Sequence, residues 1–589
     1  MTEPPPGAES DVPGWELWQP PRFGRARARV AWLDVAWLDP AGPSGPGLAA
    51  AEVARLGALV AQRRIGGPAG LPDPGAAALG VPAAGAILVL DPCEPALAEG
   101  LRAALAGAVA AAAGRPVLLL PHPAAPGRRG RRRGELPQGV TGLPHRLDAW
   151  TLLDAAAALH LVAPAAPAPW PDPLLALAGA IGRPARVAGQ AVDTAAIWAA
   201  AIGATRWRCP FHGTALSPDA GIGLLALWRL AEAQNRRIAA CTGIPPWKRG
   251  SVAALFASGR GRPAFRAAAG AALKRATRRG GALVAWASAM PAALPAAAAA
   301  AGVPLLRLED GFIRGSGLGA RFRPGASWCL DSRGVHYDAT APSDLETLLQ
   351  EARFDPALLA RAAALRESIV ARGISKYNLR ATTPMPALPA GRRVVLVPGQ
   401  VEDDASVRAV RGPVAGNLAL LRAVRAAEPE AFLVFKPHPD LVAGFRRGRL
   451  SAGDLAGLAD AVITDQPLPA LLAHVEAVHT LTSLAGFEAL LRGVPVTTWG
   501  QPAYAGWGLT EDREPIARRS RRLGLDELVA GMLILYPRYL DPVTRLPCTP
   551  EILLDRLDDP ALWRASPFTL HRGIQGFLTR LWAGWRGLT

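Results

Sequence analysis

The sequence predicts an α/β protein built on open parallel sheets, and three stretches carry that expectation. In the first, the apolar run Val394–Val397 leads into a polar turn holding Glu402, Asp403, Asp404 and Ser406. A helical pattern over Asn417–Ala426 follows, and a second apolar run, Ala431–Phe435, leads into Lys436, Pro437, His438 and Pro439. In the second, Leu305–Leu308 exits into Glu309 and Asp310; in the third, Val478–Leu481 exits into Thr482 and Ser483. Strand, helix and strand with polar residues at the strand exits describes a βαβ unit, and ligands of such sheets sit beyond the carboxyl ends of the strands. Acidic, basic and hydroxyl groups are thus delivered to one kind of crevice.

The chain has 589 residues, enough for two to four domains. Half of them are hydrophobic, so a large core is available. Lys and Arg outnumber Asp and Glu 65 to 48, a formal charge of +17, which favours acidic partners: nucleic acid, anionic headgroups or a phosphorylated sugar donor. No zinc spacing, RNP-like aromatic motif or homeodomain pattern is present, so charge alone does not point to nucleic acid. The cysteines Cys93, Cys209, Cys241, Cys329 and Cys548 are scattered without a CxxC pair, as expected of reduced structural thiols in a cytoplasmic protein. Residues 1–14 lack a basic and apolar leader pattern, so no signal peptide is expected. The longest uncharged apolar run, Gly280–Leu306, is broken by Pro291, Pro295 and Pro304 and is no convincing membrane span.

In chain order, residues 1–22 read as a flexible lead and 23–204 as a truncated α/β region. That region holds the strands Arg29–Leu33, Gly85–Leu90 and Pro116–Leu120, with an alanine-rich helix between the last two. Arg128–Arg133 reads as a solvated basic loop. An internal echo follows: PVLLLPHP (Pro116–Pro123) resembles EAFLVFKPHP (Glu430–Pro439), and GRPARVAGQ (Gly182–Gln190) resembles GVPVTTWGQ (Gly493–Gln501). The first copy lacks equivalents of Thr482, Ser483 and Glu488, which predicts a fold kept and a chemistry lost. Residues 205–388 form the next α/β layer, with an amphipathic helix Gly221–Arg237 that buries Trp228, the cluster Trp247–Lys248–Arg249, and a strand at Ala282–Ala287. The glycines Gly311, Gly315, Gly317 and Gly319 allow close backbone approach. Asp331–Asp338 has hairpin character, and Ser343 with Glu346 reads as a capping box. Ile374–Asn378 and the Pro/Ala-rich stretch to Gly391 read as a linker to the layer 389–530. In that layer the hydroxyls and N–H groups at a helix start after Thr482–Ser483 make a phosphate site, and Tyr504 and Trp507 either stack on a ligand or pack their loop. Residues 531–589 are expected to be a helical tail, with Phe577–Leu588 bracing the earlier layer or docking on a membrane.

Seven motifs in order, LRLEDGFIRGSGLG, HYDATAPSDLE, ISKYN, VPGQVEDDAS, KPHPDLVAGFRRG, TSLAGFEALLRGVPV and YAGWGLTED, resemble the KpsC-type capsular polysaccharide proteins over about Trp207–Leu557. These are retaining β-Kdo glycosyltransferases. The resemblance implies a GT-B architecture of two Rossmann-like domains preceded by a degenerate, truncated module. It implies CMP-Kdo as donor, a lipid-linked Kdo-terminated acceptor, no metal or cofactor, and attachment to the cytoplasmic face of the inner membrane, with other capsule assembly proteins as further partners and no nucleic acid. By motif position Asp404 is implied as nucleophile, with Asp403 as the fallback, Glu309 as acid/base, and His438 as the group facing the departing CMP phosphate. Thr482 and Ser483 would hold that phosphate, Glu488 the nucleotide, and Lys436 or Arg314 the sugar carboxylate. Asp310, Gln400 and Ser406 are implied as further substrate-binding residues. Two positions depart from the family: WASAM (Trp286–Met290) stands where a Trp-Gly-basic turn is usual, and Gly315 where serine is common. Two rival functions are a transferase for another CMP-linked ulosonate, such as a sialic acid, and a non-catalytic scaffold of capsule assembly.

Overall fold

The structure, a computed structural model, describes residues 18, 23, 31–33, 48–67, 71–123, 125, 136–162, 172–315, 325–376, 378, 381, 383–410, 412–442 and 450–563. The expectations for the lead apart from Trp18, for Arg128–Arg133, for Gly317 and Gly319, and for Phe577–Leu588 lie outside the described residues. The chain divides into two compact units. One comprises residues 1–235 with 258–261, the other 236–257 with 262–589. The first therefore extends past the expected limit at 204 and takes in the helix Pro218–Asn235, whose Trp228 is fully buried.

In the first unit β1 (Ala31–Leu33) pairs antiparallel with β8 (Thr205–Trp207). A separate sheet comprises β2 (Ala86–Asp91), β3 (Val117–Pro121), β4 (Val140–Gly142), β5 (Ala156–Leu161), β6 (Ala185–Val187) and β7 (Gln190–Val192), in the order β4-β3-β2-β5-β6-β7. Every residue of β2 and β3 is buried, as expected of parallel strands covered on both faces, and their continuous aliphatic runs follow from that double burial. Ile87 and Val89 of β2, Val117 and Leu119 of β3, and Ala104, Leu105 and Ala108 of the helix Ala98–Ala110 form the core on one side of this sheet.

The second unit contains two sheets. One has β9 (Ile238–Thr242), β10 (Ala264–Arg266), β11 (Ala282–Trp286), β12 (Leu305–Asp310) and β13 (Ser327–Asp331). The other has β14 (Val394–Pro398), β15 (Phe432–Lys436), β16 (Ala461–Val462), β17 (Ala477–Thr480), β18 (Val496–Thr498) and β19 (Glu511–Asp512), all parallel, in the order β16-β15-β14-β17-β18-β19. Late in the chain, β20 (Pro537–Leu540) and β21 (Pro547–Cys548) return to the former sheet and complete its order as β10-β9-β11-β12-β13-β20-β21. The expected helical tail is helical at Ala530–Leu535 and Pro550–Leu557 but is interrupted by two strands between them, because β13 leaves an edge that β20 covers antiparallel.

The sheet of the first unit repeats the strand order of the β14 sheet, and the echo seen in the sequence falls on equivalent strands. His160 of β5 stands opposite Arg186 of β6, and His479 of β17 stands opposite Thr497 of β18. Both histidines are buried, and burial lowers both below the ordinary imidazole value.

Two local expectations are corrected. Asp331–Asp338 is not a hairpin: β13 ends at Asp331, whose carboxylate accepts from Arg333 N, Gly334 N and Asp344 N and so folds the chain into a compact turn. Ser343 does cap the helix Asp344–Glu351 by accepting from Glu346 N, 3.1 Å, but the Glu346 carboxylate turns away to Arg518 and Arg519. Only half of the capping box is present. Among the described residues all five cysteines are free, and no helix is long and apolar enough to cross a membrane.

Candidate functional site

The site is built at the exits of β12 and β14, within the second unit. β12 runs Leu-Leu-Arg-Leu-Glu-Asp, so its last two residues place adjacent carboxylates at the carboxyl end of the strand. Asp310 is clamped: Lys248 Nζ lies 2.8 Å from Oδ1 and Arg314 Nε lies 3.0 Å from Oδ2. Burial alone would raise Asp310, but these two cations hold it well below the usual carboxylate range. Lys248 is itself buried, 3.8 Å above the centre of the Trp286 ring and 4.8 Å from that of Trp247. Asp310 is therefore not a group awaiting substrate; it is one end of a fixed ion pair.

Glu309 is different. Its Oε1 accepts from Asp310 N at 3.2 Å, while Oε2 is buried with no hydrogen-bond partner among the described residues. Burial pushes its carboxyl up to about 7; Lys248 works against that, and the anions Asp310 and Asp404 reinforce it. Asp404, carried on the other sheet, is thus near enough for its charge to act on Glu309. Tyr337 is raised by burial and by the charges of the same two carboxylates, Glu309 and Asp404.

Asp404 is exposed and caps the short helix Ala405–Arg408. Its Oδ1 accepts from Ser406 N at 3.0 Å and Ser406 Oγ at 2.8 Å. Ser406 is hence a positioning partner of Asp404. Asp403 is exposed on the same turn, but it is Asp404 whose charge is felt at both Glu309 and Tyr337. At the β15 exit His438 Nδ1 accepts from Asp440 N at 3.1 Å, which leaves Nε2 to carry the proton in the neutral ring. A donor at Nε2 suits a phosphate oxygen.

The remaining expected ligands are largely occupied within the protein. Gln400 is buried; its Nε2 donates to Thr482 Oγ1 at 2.9 Å and its Oε1 accepts from Thr482 N at 3.1 Å. The amide ties the β14 exit to the β17 exit. Ser483 Oγ caps the seven-residue helix Leu484–Leu490. Lys436 is buried, its Nζ donates to Gln466 O at 2.5 Å, and burial lowers it to about 8. Tyr504 and Trp507 are buried loop packers, Tyr504 OH donating to Ser483 O and Trp507 Nε1 to Ala503 O.

Glu488 is buried against the segment after the helix Pro356–Ala371. Its Oε1 accepts from Lys376 N at 2.9 Å, its Oε2 has no partner among the described residues, and burial pushes it up to about 7. Arg492 donates to Ile374 O and Asn378 Nδ2 donates to Gly315 O. The stretch read as a linker is therefore a strap whose backbone is bound by one α/β layer and whose side chain reaches the other. Gly315 itself has φ +143°, and a Cβ there would lie 2.6 Å from the Trp563 ring. That explains glycine where serine is common in the resembled family. Sequence reasoning missed Lys248 and Tyr337 as site residues; the only signals were the Trp-Lys-Arg cluster and the tyrosine of HYDATAPSDLE.

Carboxylates at the exits of β12 and β14 and a histidine at the exit of β15 stand at the carboxyl ends of their strands, where open α/β sheets bind ligands. Residues 281–539 match the model of a family described as "Capsule polysaccharide biosynthesis protein". Over 271 residues the chain is 44% identical to the capsule polysaccharide modification protein LipA of Neisseria meningitidis serogroup A, covering 46% of this chain and 38% of LipA. It is 45% identical over 242 residues to the lipopolysaccharide-processing protein LpsZ of Rhizobium meliloti, 40% of this chain and 54% of LpsZ. The chain thus spans about half or less of the length of these curated relatives. A solved structure of Thermosulfurimonas dismutans KpsC, a beta Kdo 2,7 transferase, is 32% identical, with 55% of this chain and 98% of that one covered and a TM-score of 0.45. The match to the capsule polysaccharide biosynthesis protein family thus falls on residues 281–539, within the stretch whose motifs resemble the KpsC-type proteins.

Proposed function

We propose that the second unit is a retaining glycosyltransferase of GT-B design that moves β-Kdo from CMP-Kdo onto a Kdo-terminated, lipid-linked acceptor at the cytoplasmic face of the inner membrane, without a metal or other cofactor. What supports this reading is the contrast between two carboxyls at strand exits: Asp404 is exposed and held by Ser406, while Glu309 is buried and raised to about 7, with the charge of Asp404 among the causes. Retention calls for two such groups with different duties. Asp404 attacks the anomeric carbon as CMP departs, forming a glycosyl ester. Glu309 then takes the proton of the acceptor hydroxyl, whose oxygen attacks the same carbon and displaces Asp404. A carboxyl with a proton affinity near the working pH is suited to that exchange. His438, with its proton on Nε2, faces the departing phosphate; Thr482 and Ser483 hold that phosphate, Glu488 binds the nucleotide, and Lys436 or Arg314 supplies positive charge for the sugar carboxylate.

The first unit fits a supporting role better. Its β3 exit retains His122, whose Nε2 lies 2.9 Å from the Asp172 carboxylate, yet its sequence has Ala163 and Pro164 where the second copy has Thr482 and Ser483. The test is incubation of the chain with CMP-Kdo and a synthetic Kdo-terminated acceptor, with the linkage of the product determined by NMR. Kdo transfer with retained configuration supports the reading. Transfer from a CMP-sialic acid but not from CMP-Kdo replaces it with the other ulosonate class.

A further inference from the structure

Lys248 sits where a charge is costly. Taking an ammonium and a carboxylate out of water together costs several kcal/mol per ion, and an apolar pair of the same shape is often as stable. Burial accordingly lowers Lys248 below the ordinary lysine value, although Asp310 holds its proton in place. Its ring neighbours, Trp286 and Trp247, leave the Nζ group aimed at Asp310, and Asp310 in turn donates its backbone N–H to Glu309. The cluster Trp247–Lys248–Arg249 thus leads in two contacts to a site carboxyl with a buried, unpartnered oxygen.

We propose that Lys248 is a positioning residue for the transfer reaction: it pins Asp310 beside Glu309 and balances Asp310's negative charge, so that Glu309 can both hold and release the acceptor's proton. The proposal rests on the assignment of Glu309 as the proton-exchanging group. The charged and titratable groups facing Glu309 are Lys248 from the turn Pro246–Lys248, Asp310 from its own strand, Cys329 opposite it on β13, Tyr337 from the segment after β13, and Asp404 from the turn after β14. Arg314 acts through Asp310. Of these, Lys248 is the cation that eases ionisation of Glu309, and Asp310 is its nearest opponent. Removing one or the other must therefore move Glu309 in opposite directions, which a merely structural ion pair would not do.

The test follows the protonated-carboxyl infrared band that Glu309→Gln removes, titrated in the full-length protein. Lys248→Met should raise its midpoint by roughly one unit or more, and Asp310→Asn should lower it by a similar amount. Lys248→Arg should stay near the wild-type value. The corresponding limb of the kcat/KM profile with CMP-Kdo should move the same way in each variant. A midpoint that stays put, or that moves the same way in Lys248→Met and Asp310→Asn, overturns the proposal. Should Lys248→Met fail to fold by circular dichroism, Lys248→Gln takes its place; an upward shift is expected and an unmoved midpoint refutes. If the infrared midpoints shift as expected while wild type transfers nothing from CMP-Kdo, the charge balance stands and the transferase assignment falls.

Discussion

Replacing Glu488 by glutamine separates the electrostatic cost of the strap from its geometry. In the wild type Oε1 accepts from Lys376 N and Oε2 lies buried without a partner among the described residues, so burial raises the carboxyl from 4.5 to about 7. A raised acid binds its proton more tightly when folded than when unfolded. Its contribution to stability is therefore complete below pH 4.5, declines as pH rises through the interval to 7, and is lost above it. The difference in proton affinity corresponds to about 3 kcal/mol over that interval. Glu309, raised in the same sense, adds a decline of its own. Glutamine keeps the acceptor for Lys376 and cannot ionise, so the stability of wild type relative to the variant should fall by about 3 kcal/mol between about pH 5 and pH 8.5, whatever the other titrating groups contribute to both. The new amide, buried beside nothing that accepts it, costs about 1–3 kcal/mol at every pH, which shifts the level but not the slope. The assay is urea unfolding of both proteins across that range, following one transition. An unchanged slope in Glu488→Gln would refute the reasoning, because it would mean that the native carboxyl does not retain its proton.

Asp404→Asn keeps an acceptor for Ser406 N and so keeps the cap, yet should cost roughly three orders of magnitude in transfer while CMP binding persists. Intact-mass spectrometry with CMP-Kdo should show a Kdo adduct on Glu309→Gln and none on Asp404→Asn; near-normal activity of the latter would move the nucleophile to Asp403. His438→Ala removes the Nε2 donor and should lower kcat/KM for CMP-Kdo by about 10- to 100-fold, with circular dichroism unchanged. Gly486→Ala would set a Cβ 2.2 Å from Tyr504 OH and should destabilise by about 1–3 kcal/mol in urea melts; adding Tyr504→Phe should recover part of the loss.

Much of the second unit was legible because parallel strands covered on both faces need unbroken aliphatic runs. Val394–Val397, Ala431–Phe435 and Val478–Leu481 are such runs, and each was placed within a residue or two of β14, β15 and β17. Ile238–Thr242 escaped notice because IAACT is small and mixed, and only its neighbours in the sheet make it a strand. The late strands β20 and β21 were hidden for a related reason: what defines them is an edge left by β13, far back in the sequence. Tyr536 and Asp331, whose side chains hydrogen-bond beside that edge, are 205 positions apart. In the site, residue type announced Asp404, Glu309 and His438, since acids and histidines at strand exits are conspicuous. Type could not separate Glu309 from Asp310. That distinction depends on Lys248, which is 62 positions from the Asp310 it grips. Nor could it reveal that the Gln400 amide is already spent on Thr482, a partnership made by folding alone.

The two sheets of matching strand order part company at one point. After Gly500 and Gln501 the second copy runs through a long glycine-aromatic loop, with Tyr504 anchored to Ser483, before β19 joins parallel to β18. After β6 the first copy turns back at once: Ala188 and Gly189, with φ of 49° and 81°, make a tight turn of the I′ kind, and β7 returns antiparallel. A two-residue turn has no length with which to reach over a crevice. One strand order thus carries an open excursion past its last parallel pair in one sheet and a closed hairpin at the same place in the other.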